Sequence, residues 1–193
     1  MIEELSYLER RAISYLNYKG DVSDEQIILV RNAIDDMKRI ARPQFVFRFL
    51  ELKENQEGHL VVDAPINIGY SSLQKLFKEK NSDSLCILVS TLGSAIDKRI
   101  VQLADRDSGK MILLDACANA YIEEVTNNYQ KRLSLGEETF RFAPGYGDVP
   151  LEVQREIFDF MPEISKIGIE LDSSNLMHPF KSMTGFIGFK AGK

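Results

Sequence analysis

The sequence predicts an α+β domain with a mainly antiparallel, twisted sheet and helices packed against it. Helical apolar periodicity and strand alternation are both present, and they do not follow one another in a regular β–α order. No linker, repeat or low-complexity tract divides the 193 residues. We therefore expect one domain over residues 1–193, with N-terminal helices in residues 1–42 as an extension of it.

Two helices are expected at the N-terminus. The first runs from residue 2 to about residue 17 and is closed by the Lys-Gly step that ends at Gly20. The second begins at a capping box, in which Ser23 accepts from the helix and Gln26 reaches back. Its buried stripe would consist of residues that recur at helical spacing: Ile27, Ile28, Val30, Ile34, Met37 and Ile40. Pro43 ends this helix.

The middle of the chain carries strand and helix signals in turn. Residues 44–53 alternate, with three phenylalanines on one face, and residues 85–89 form the apolar run of a buried strand. Shorter strands are expected at 60–62 and 66–68. Three helices are expected: 71–81 with Ser71 and Ser72 as its cap, 95–105, and 111–133 after a break at Gly109.

The longest predicted helix carries a polar row beside its apolar stripe. The stripe consists of Leu114, Ala118, Ile122, Val125 and Tyr129. Asn119, Glu123 and Asn127 follow one another at intervals of four residues, so they share one side of the helix. This row is either a solvated face or a face that meets a ligand.

The C-terminal part combines short strands with one helix. Residues 138–142 predict a strand, and Pro150 opens a helix that runs to Phe160 and is ended by Pro162. Residues 167–171 and 182–189 are expected as the last strands. Gly185 and Gly188 weaken the final strand, which suggests that another backbone or a ligand approaches it closely.

Composition excludes several classes of function. The chain is 44% hydrophobic and 27% charged, and no apolar run is long enough to span a membrane. The N-terminus lacks the regions of a signal peptide, so we expect a cytoplasmic protein without a membrane partner. A net charge of −5 with scattered basic residues argues against nucleic-acid binding. Cys86 and Cys117 are expected as buried free thiols.

Neither metal nor nucleophilic catalysis is indicated. His59 and His178 lie far apart, and neither has a second ligand at metal spacing. No Ser-His-Asp or Cys-His set is visible, so no residue is predicted to be catalytic. The sequence favours a binding module.

The most informative stretch is RFAPGYGDVP at residues 141–150. Gly145 and Gly147 can adopt positive φ and allow close approach of a ligand, and Pro144 stiffens the loop. The Arg141 guanidinium suits a carboxylate, and Tyr146 offers a ring that can stack. From spacing alone, the stretch could also be a surface strand that runs into a turn.

This loop resembles the Arg-x-x-x-Gly-Tyr loop of the activation domain of cobalamin-dependent methionine synthase, which binds S-adenosylmethionine. Residues 15–20 (YLNYKG), with a long helix and residues 41–43 (ARP) after them, are similar to the opening of short free-standing members. Residues 177–188 (MHPFKSMTGFIG) resemble their Pro-x-Lys-Ser-x-x-Gly segment. The resemblance implies a C-shaped single domain around a twisted antiparallel sheet.

The resemblance also implies roles for the loop. Arg141 would pair with the methionine carboxylate of S-adenosylmethionine. Tyr146 and the backbone of Gly145 and Gly147 would meet the adenine, and Pro144 would shape the loop.

Three further positions follow from the resemblance. An acidic residue on the long helix, Glu123 or Glu124, would meet the ribose or the amino group. Lys181 and Ser182 resemble positions near the cleft, although they could instead face a partner or stabilise the last strand.

The implied function is that of a reactivation subunit of a split methionine synthase, inactive as a catalyst alone. No Asp-x-His-x-x-Gly signature is present, so cobalamin is expected on a partner chain. A low-potential donor of the flavodoxin or ferredoxin type would supply an electron. Two alternatives stay open: an activator of another corrinoid methyltransferase, and an independent S-adenosylmethionine-dependent methyltransferase. The missing glycine-rich nucleotide motif disfavours the second.

Overall fold

An antiparallel sheet of four strands forms the centre of the structure, a computed structural model that describes residues 5–18, 21–133 and 136–191. Its strands are, in spatial order, β1 (Gln44–Glu51), β4 (Ser84–Thr91), β8 (Ser182–Ala191) and β5 (Gly136–Glu138). Two antiparallel ribbons lie outside this sheet: β2 (Lys53–Glu54) with β3 (Leu60–Val61), and β6 (Glu170–Leu171) with β7 (Met177–His178).

Seven helices occur in the described part of the chain. They are α1 (Tyr7–Leu16), α2 (Asp24–Ile40), α3 (Ser71–Glu79), α4 (Ser94–Ala104), α5 (Ser108–Leu133), α6 (Val153–Phe160) and the 3-10 helix Pro162–Ile167. Together with the antiparallel pairing of β1 to β4, β4 to β8 and β5 to β8, they confirm the α+β fold class.

Local signals position the first two helices. The capping box predicted at the start of α2 is present: the Ser23 Oγ accepts from the Gln26 amide at 3.3 Å, and the Gln26 Oε1 accepts from the Ser23 amide at 2.9 Å. Helix α1 begins at a second capping box, and its C-cap Asn17 adopts a φ of 51°. The predicted Lys-Gly closure and residues 2–4 lie outside the described residues.

The two faces of the sheet are buried against different helices. On one face, Cys86 and Leu88 of β4 pack in a cluster that the end of α5 covers. On the other face, alternate residues of β4 join a larger core with α3 and α6. The outer side of α5 packs on α1 and α2 through Cys117 and Ala120. Helix α5 therefore lies between the sheet and the N-terminal helices.

Four predictions from local pattern are wrong. Ile28 is 55% exposed, because the buried side of α2 is narrower than its apolar stripe. Residues 66–68 form no strand, although their two isoleucines are buried. Helix α5 begins at Ser108 and runs through Gly109. The helix expected to open at Pro150 begins only at Val153, after a turn at residues 151–152, although it ends at Phe160, before Pro162, as predicted.

Two predicted strands are shorter than expected. The strand expected at 138–142 ends at Glu138, and only Phe142 returns to the sheet, as an isolated bridge to Phe186. The strand expected at 167–171 is reduced to β6, because residues up to Ile167 belong to the 3-10 helix.

The two glycines of β8 mark close approaches, as the sequence predicts, but mainly by side chains. Because they are three residues apart, they face opposite sides of the sheet. A Cβ at Gly188 would lie 2.5 Å from the Ser82 Oγ and 2.7 Å from the Phe77 Cδ1. A Cβ at Gly185 would overlap the Arg141 Cγ. Gly188 therefore makes room for Ser82 and Phe77, and Gly185 makes room for Arg141.

Gly188→Ala should destabilise the protein by about 1–3 kcal/mol, because the added methyl group has no space between α3 and the sheet. Urea denaturation measures this loss. Gly109→Ala is the matched control, since a Cβ there would meet the Asp107 Oδ1 at an ordinary 3.5 Å, and it should change stability by less than about 1 kcal/mol. Equal stability of G188A and the wild type would refute the packing at this position.

Candidate functional site

The loop 141–150 leaves the sheet beside β8. Phe142 and Phe186 exchange two backbone hydrogen bonds of 2.8 Å, which fix the start of the loop to the strand. Phe142 is also partly buried in the core under α3 and α6. The residue before it, Arg141, is thereby directed to the opposite face of the sheet, toward α5.

Internal hydrogen bonds hold the turn at the tip of the loop. The Gly145 amide donates to the Val149 carbonyl at 2.9 Å, and the Val149 amide donates to the Tyr146 carbonyl at 3.0 Å. The Tyr146 amide donates to the Ala143 carbonyl at 3.2 Å. Gly145 and Gly147 adopt φ values of 88° and 56°, as the sequence predicts.

The loop is attached to α3 through Asp148. The Asp148 carboxylate accepts from the backbone amides of Ser71 at 2.7 Å and Ser72 at 3.1 Å. The sequence predicts that Ser71 and Ser72 cap α3, and this is wrong: the N-cap is Tyr70, without a side-chain cap of its own. Gly147 fits closely here, since a Cβ would lie 2.7 Å from the Ser72 Oγ.

Arg141 spans the space between β8 and α5. Its Nη1 donates to the Gln130 Oε1 at 2.9 Å, and its Nη2 donates to the Asn127 Oδ1 at 3.2 Å. The aliphatic part of the side chain passes over Gly185. Both hydrogen-bond acceptors are neutral amides, so they orient the guanidinium without cancelling its charge.

No carboxylate among the described residues forms an ion pair with Arg141. Burial lowers the pKa of its guanidinium, and the charges of Glu123 and Glu138 act against that shift from further away. The arginine side chain is not deprotonated in proteins at neutral pH. The site therefore holds a partly buried positive charge.

A cavity of about 650 Å³ lies beside the two amides that hold Arg141, while Arg141 itself and the tip of the loop are not among its lining residues. Its walls come from α1, from the C-terminal half of α5 and from the segment after β5, and the residues that matter here are Tyr7, Glu124, Asn127, Gln130, Glu138 and Phe140. Two of these residues are the amides that hold Arg141. The cavity is large enough for a ligand of nucleoside size.

Glu138 brings a negative charge to the same cavity. Its Oε1 accepts from the Gln130 Nε2 at 3.2 Å. Its Oε2 is buried and has no hydrogen-bond partner within the described ranges. A buried oxygen of this kind normally has a partner, and an ordered water or a donor group of a ligand would supply it. Gln130 thus separates a cation, Arg141, from an anion, Glu138.

Three aromatic rings lie in a row beside these charges. Phe142 is the central ring, with its centroid 6.0 Å from Phe140 and 6.5 Å from Tyr146. The outer two are 64% and 70% exposed, respectively. Exposed aromatic rings next to a cavity provide a surface on which a planar group can stack.

Of the two acidic residues predicted on the long helix, only Glu124 lines the cavity. Glu123 is occupied by α1 instead. Its Oε2 lies 2.7 Å from the Arg11 Nη2, and its Oε1 accepts from the Tyr15 hydroxyl. The two neighbours on α5 therefore face different surroundings.

Lys181 and Ser182 make contacts inside the fold. The Lys181 Nζ lies 2.7 Å from both the Asp115 Oδ1 and the Asn119 Oδ1 near the start of α5. The Ser182 hydroxyl donates to the Thr91 Oγ1 at 2.9 Å. Neither lines the cavity beside Arg141, and these contacts favour the interpretation in which both stabilise the strand.

Sequence reasoning missed three residues of the cavity wall, Tyr7, Gln130 and Glu138, and the role of Asp148 in holding the loop. Gln130 had a usable signal, since it continues the polar row one turn beyond Asn127. Tyr7 and Asp148 act through contacts between distant parts of the chain, which local pattern does not reveal.

Other titratable groups lie apart from this cavity. Cys86 and Cys117 are buried free thiols, as predicted, and burial raises the pKa of each to about 12. His178 forms a pair with Asp172 at 3.0 Å. No group of three or more metal-ligating side chains occurs in the described part of the chain. No described helix has the length and apolarity needed to cross a membrane.

Comparison with known proteins identifies the fold. No protein-family model and no curated protein matches the sequence. A solved structure matches the architecture: the crystal structure of the MetH reactivation domain bound to AdoHcy, with a TM-score of 0.61 and 16% identity. The match covers 96% of this chain and 76% of that chain. The chain has the reactivation-domain fold. At this identity the likeness concerns the fold, and the site must be argued from its own residues.

Asp148→Ala should lower the melting temperature at pH 7, because α3 loses its cap and the loop loses its attachment. Hydrogen bonds from the Ser72 hydroxyl and the two amides hold the pKa of Asp148 below its usual value. A lowered folded-state pKa stabilises the fold above the unfolded pKa of about 3.9, and that contribution is lost as the pH falls below it.

Thermal melts of the wild type and D148A at pH 7 and pH 3 test this cap. The difference between the two proteins should be present at pH 7 and should shrink at pH 3. Asp63→Ala, at an exposed aspartate before α3, is the control and should show no such difference. A difference in melting temperature of equal size at both pH values would contradict a cap that depends on the charge of Asp148.

Proposed function

We propose that this chain binds S-adenosylmethionine and presents it for the reactivation of a cobalamin-dependent methionine synthase carried on a separate polypeptide. The observation that carries the proposal is the paired arrangement of Arg141 and Glu138, held apart by Gln130 at one cavity. The reactivation-domain fold supports it, since the matched structure holds AdoHcy.

The charges at the cavity fit the amino-acid end of S-adenosylmethionine. That end carries a carboxylate, and an ammonium and a sulfonium follow within a few bonds. Arg141 would receive the carboxylate in a charge-assisted contact. The partnerless Oε2 of Glu138, with Glu124 on the same wall, would favour the cationic groups. A neutral or purely anionic ligand would leave one of these charges unmatched.

The adenosine end fits the rim of the cavity. Tyr146 and Phe140 expose rings on which an adenine can stack. The backbone amides of Gly145 and Tyr146 already donate to carbonyls inside the loop, so they would fix the shape of the turn rather than contact the ligand. Main-chain contacts to the adenine would therefore use carbonyl oxygens, each of which has a second lone pair.

The chain's own residues bind and orient the methyl donor and need not transfer the methyl group. Neither cysteine is available as an acceptor, because both are buried with raised pKa values. The partner's cobalamin would supply the nucleophile, Co(I), after one-electron reduction of Co(II) by a flavodoxin- or ferredoxin-type donor. Arg141 would fix one end of the donor so that its methyl group faces that partner.

Arg141→Ala should weaken binding of S-adenosylmethionine by about 2–4 kcal/mol, because a charge-assisted contact with the carboxylate is lost. Arg141→Lys should recover only part of the affinity, since an ammonium cannot reproduce the planar fork. Isothermal titration calorimetry with S-adenosylmethionine and AdoHcy measures both effects.

The control for this series is Arg155→Ala. Arg155 also donates to neutral oxygens, the backbone carbonyl of Asp172 and the side-chain amide of Asn175. It lies on α6, away from the cavity wall. Circular dichroism verifies that each variant is folded. A folded Arg141→Ala variant that binds like the wild type would refute the assignment of the carboxylate to Arg141.

Mixed with a cobalamin-bearing methionine synthase chain that lacks its own activation domain, plus a low-potential reductant, the protein should restore methionine synthesis from inactive Co(II). The Co(II) absorption should be replaced by that of the methylated cofactor. Tyr146→Ala should slow this recovery, because the adenine loses its stacking surface, and should leave turnover of an already methylated partner unchanged.

Two other outcomes would identify the alternatives. Rapid methylation of a small molecule by the isolated chain would indicate an independent methyltransferase. Recovery of a different corrinoid methyltransferase, without any effect on methionine synthase, would indicate an activator of that enzyme.

A further inference from the structure

The N-terminal helix α1 contacts α5 one turn before the residues that hold Arg141. Glu123, Asn127 and Gln130 follow one another at helical spacing, so their side chains share one side of α5. Arg141 donates to the second and third of these residues. Glu123 is the acidic side chain of α5 whose charge acts on the Arg141 guanidinium, and it is longer than the asparagine beside it.

Helix α1 occupies both carboxylate oxygens of Glu123. The Arg11 Nε and Nη2 donate to its Oε2 at 3.1 and 2.7 Å, and the Tyr15 hydroxyl donates to its Oε1. The Arg11 and Glu123 side chains are 38% and 24% exposed. Solvent screens such a half-buried pair less than a fully exposed one.

We propose that Arg11 is a positioning residue for the ligand site: by neutralising Glu123, it keeps the Arg141 guanidinium on its amide partners and available to an anionic ligand group. Without Arg11, the Arg141 guanidinium would move about one helical turn along α5 and pair with the Glu123 carboxylate. The ligand carboxylate would then have to displace Glu123 before it could bind. The part that concerns the ligand rests on the proposed function.

The charge distribution around Arg141 supports this competition. Glu123 already acts on Arg141 from a distance, since it raises the pKa of the guanidinium against the effect of burial. Glu138, the other carboxylate that acts on Arg141, is kept apart by the amide of Gln130. Among the described hydrogen bonds, no amide bridges Glu123 and Arg141 in this way, and Arg11 binds the Glu123 carboxylate instead.

Calorimetry with AdoHcy on a double-mutant cycle tests the proposal. Arg11→Met keeps the aliphatic packing and removes the charge, and it should weaken binding roughly fivefold, the size expected when a partly exposed ion pair must be broken. Adding Glu123→Gln should restore most of the affinity, because the competing charge is gone. Arg39→Met, which removes an exposed ion pair with Asp36 on α2, should leave binding unchanged.

Three results of the cycle would overturn the proposal. Arg11→Met could bind AdoHcy like the wild type. The double variant could stay as weak as Arg11→Met, in which case α1 acts through packing alone. Glu123→Gln by itself could lose as much affinity as Arg11→Met, which would make Glu123 a direct ligand contact.

A crystal structure of the Arg11→Met variant without ligand tests the rearrangement separately. We expect the Arg141 guanidinium within 4 Å of the Glu123 carboxylate. Persistence of the bonds to Asn127 and Gln130 would refute the inference even if no ligand bound. Failure of the wild type to bind S-adenosylmethionine or AdoHcy at millimolar concentration would instead refute the proposed function, and this structure would still decide whether Arg11 controls Arg141.

Discussion

The placement of Arg141 between the sheet and α5 is the interaction on which the candidate site depends. It requires a gap in β8, which Gly185 provides, and an amide pair on α5, which Asn127 and Gln130 provide. The double hydrogen bond between Phe142 and Phe186 sets the direction of the side chain. A partly buried cation normally costs free energy unless it is paired. Here uncharged amides accept the hydrogen bonds of the guanidinium, so its positive charge stays available to an anionic group.

Three cationic side chains from other parts of the fold bind to one polar row of α5. Lys181 binds Asp115 and Asn119 near its start, Arg11 binds Glu123 in its middle, and Arg141 binds amides near its end. Lys181 directly precedes β8, Arg11 lies on α1 and Arg141 lies in the loop 141–150, so the row joins separate parts of the structure. The first two meet a carboxylate. The third does not meet one among the described residues, and there the row borders the cavity.

The sequence predicts features that depend on neighbouring residues and misses those that depend on distant ones. The capping box at Ser23 and the buried strand β4 follow from local pattern, and the structure confirms them. At Gly185 and Gly188 it confirms close approaches, but mainly by side chains where the pattern predicted a backbone or a ligand. The cap of α3 could not be predicted in this way, because Asp148 lies 77 residues from Ser71. In the cavity wall, only Tyr7 comes from a distant part of the chain, and the other lining residues lie between positions 124 and 140.

The polar row illustrates the same limit. Periodicity places Asn119, Glu123 and Asn127 on one side of α5, but packing on two sides of a helix leaves its rotation ambiguous. The choice between Glu123 and Glu124 needed the position of α1, which no pattern near residue 123 encodes. The place of Glu138 at the cavity could not be predicted either, because the relevant feature is its buried Oε2, which has no hydrogen-bond partner among the described residues.

The exposure of the site is consistent with a protein that presents a ligand to a partner. Enzymes that complete a group transfer alone usually exclude water from the reacting atoms. Here the rings of Phe140 and Tyr146, in the same segment as Arg141, are mostly in solvent, and both thiols are buried elsewhere. A donor held by Arg141 and Glu138 would have its charged end fixed and its other side uncovered. The same partner would then supply both the surface that covers the donor and the nucleophile that accepts the methyl group.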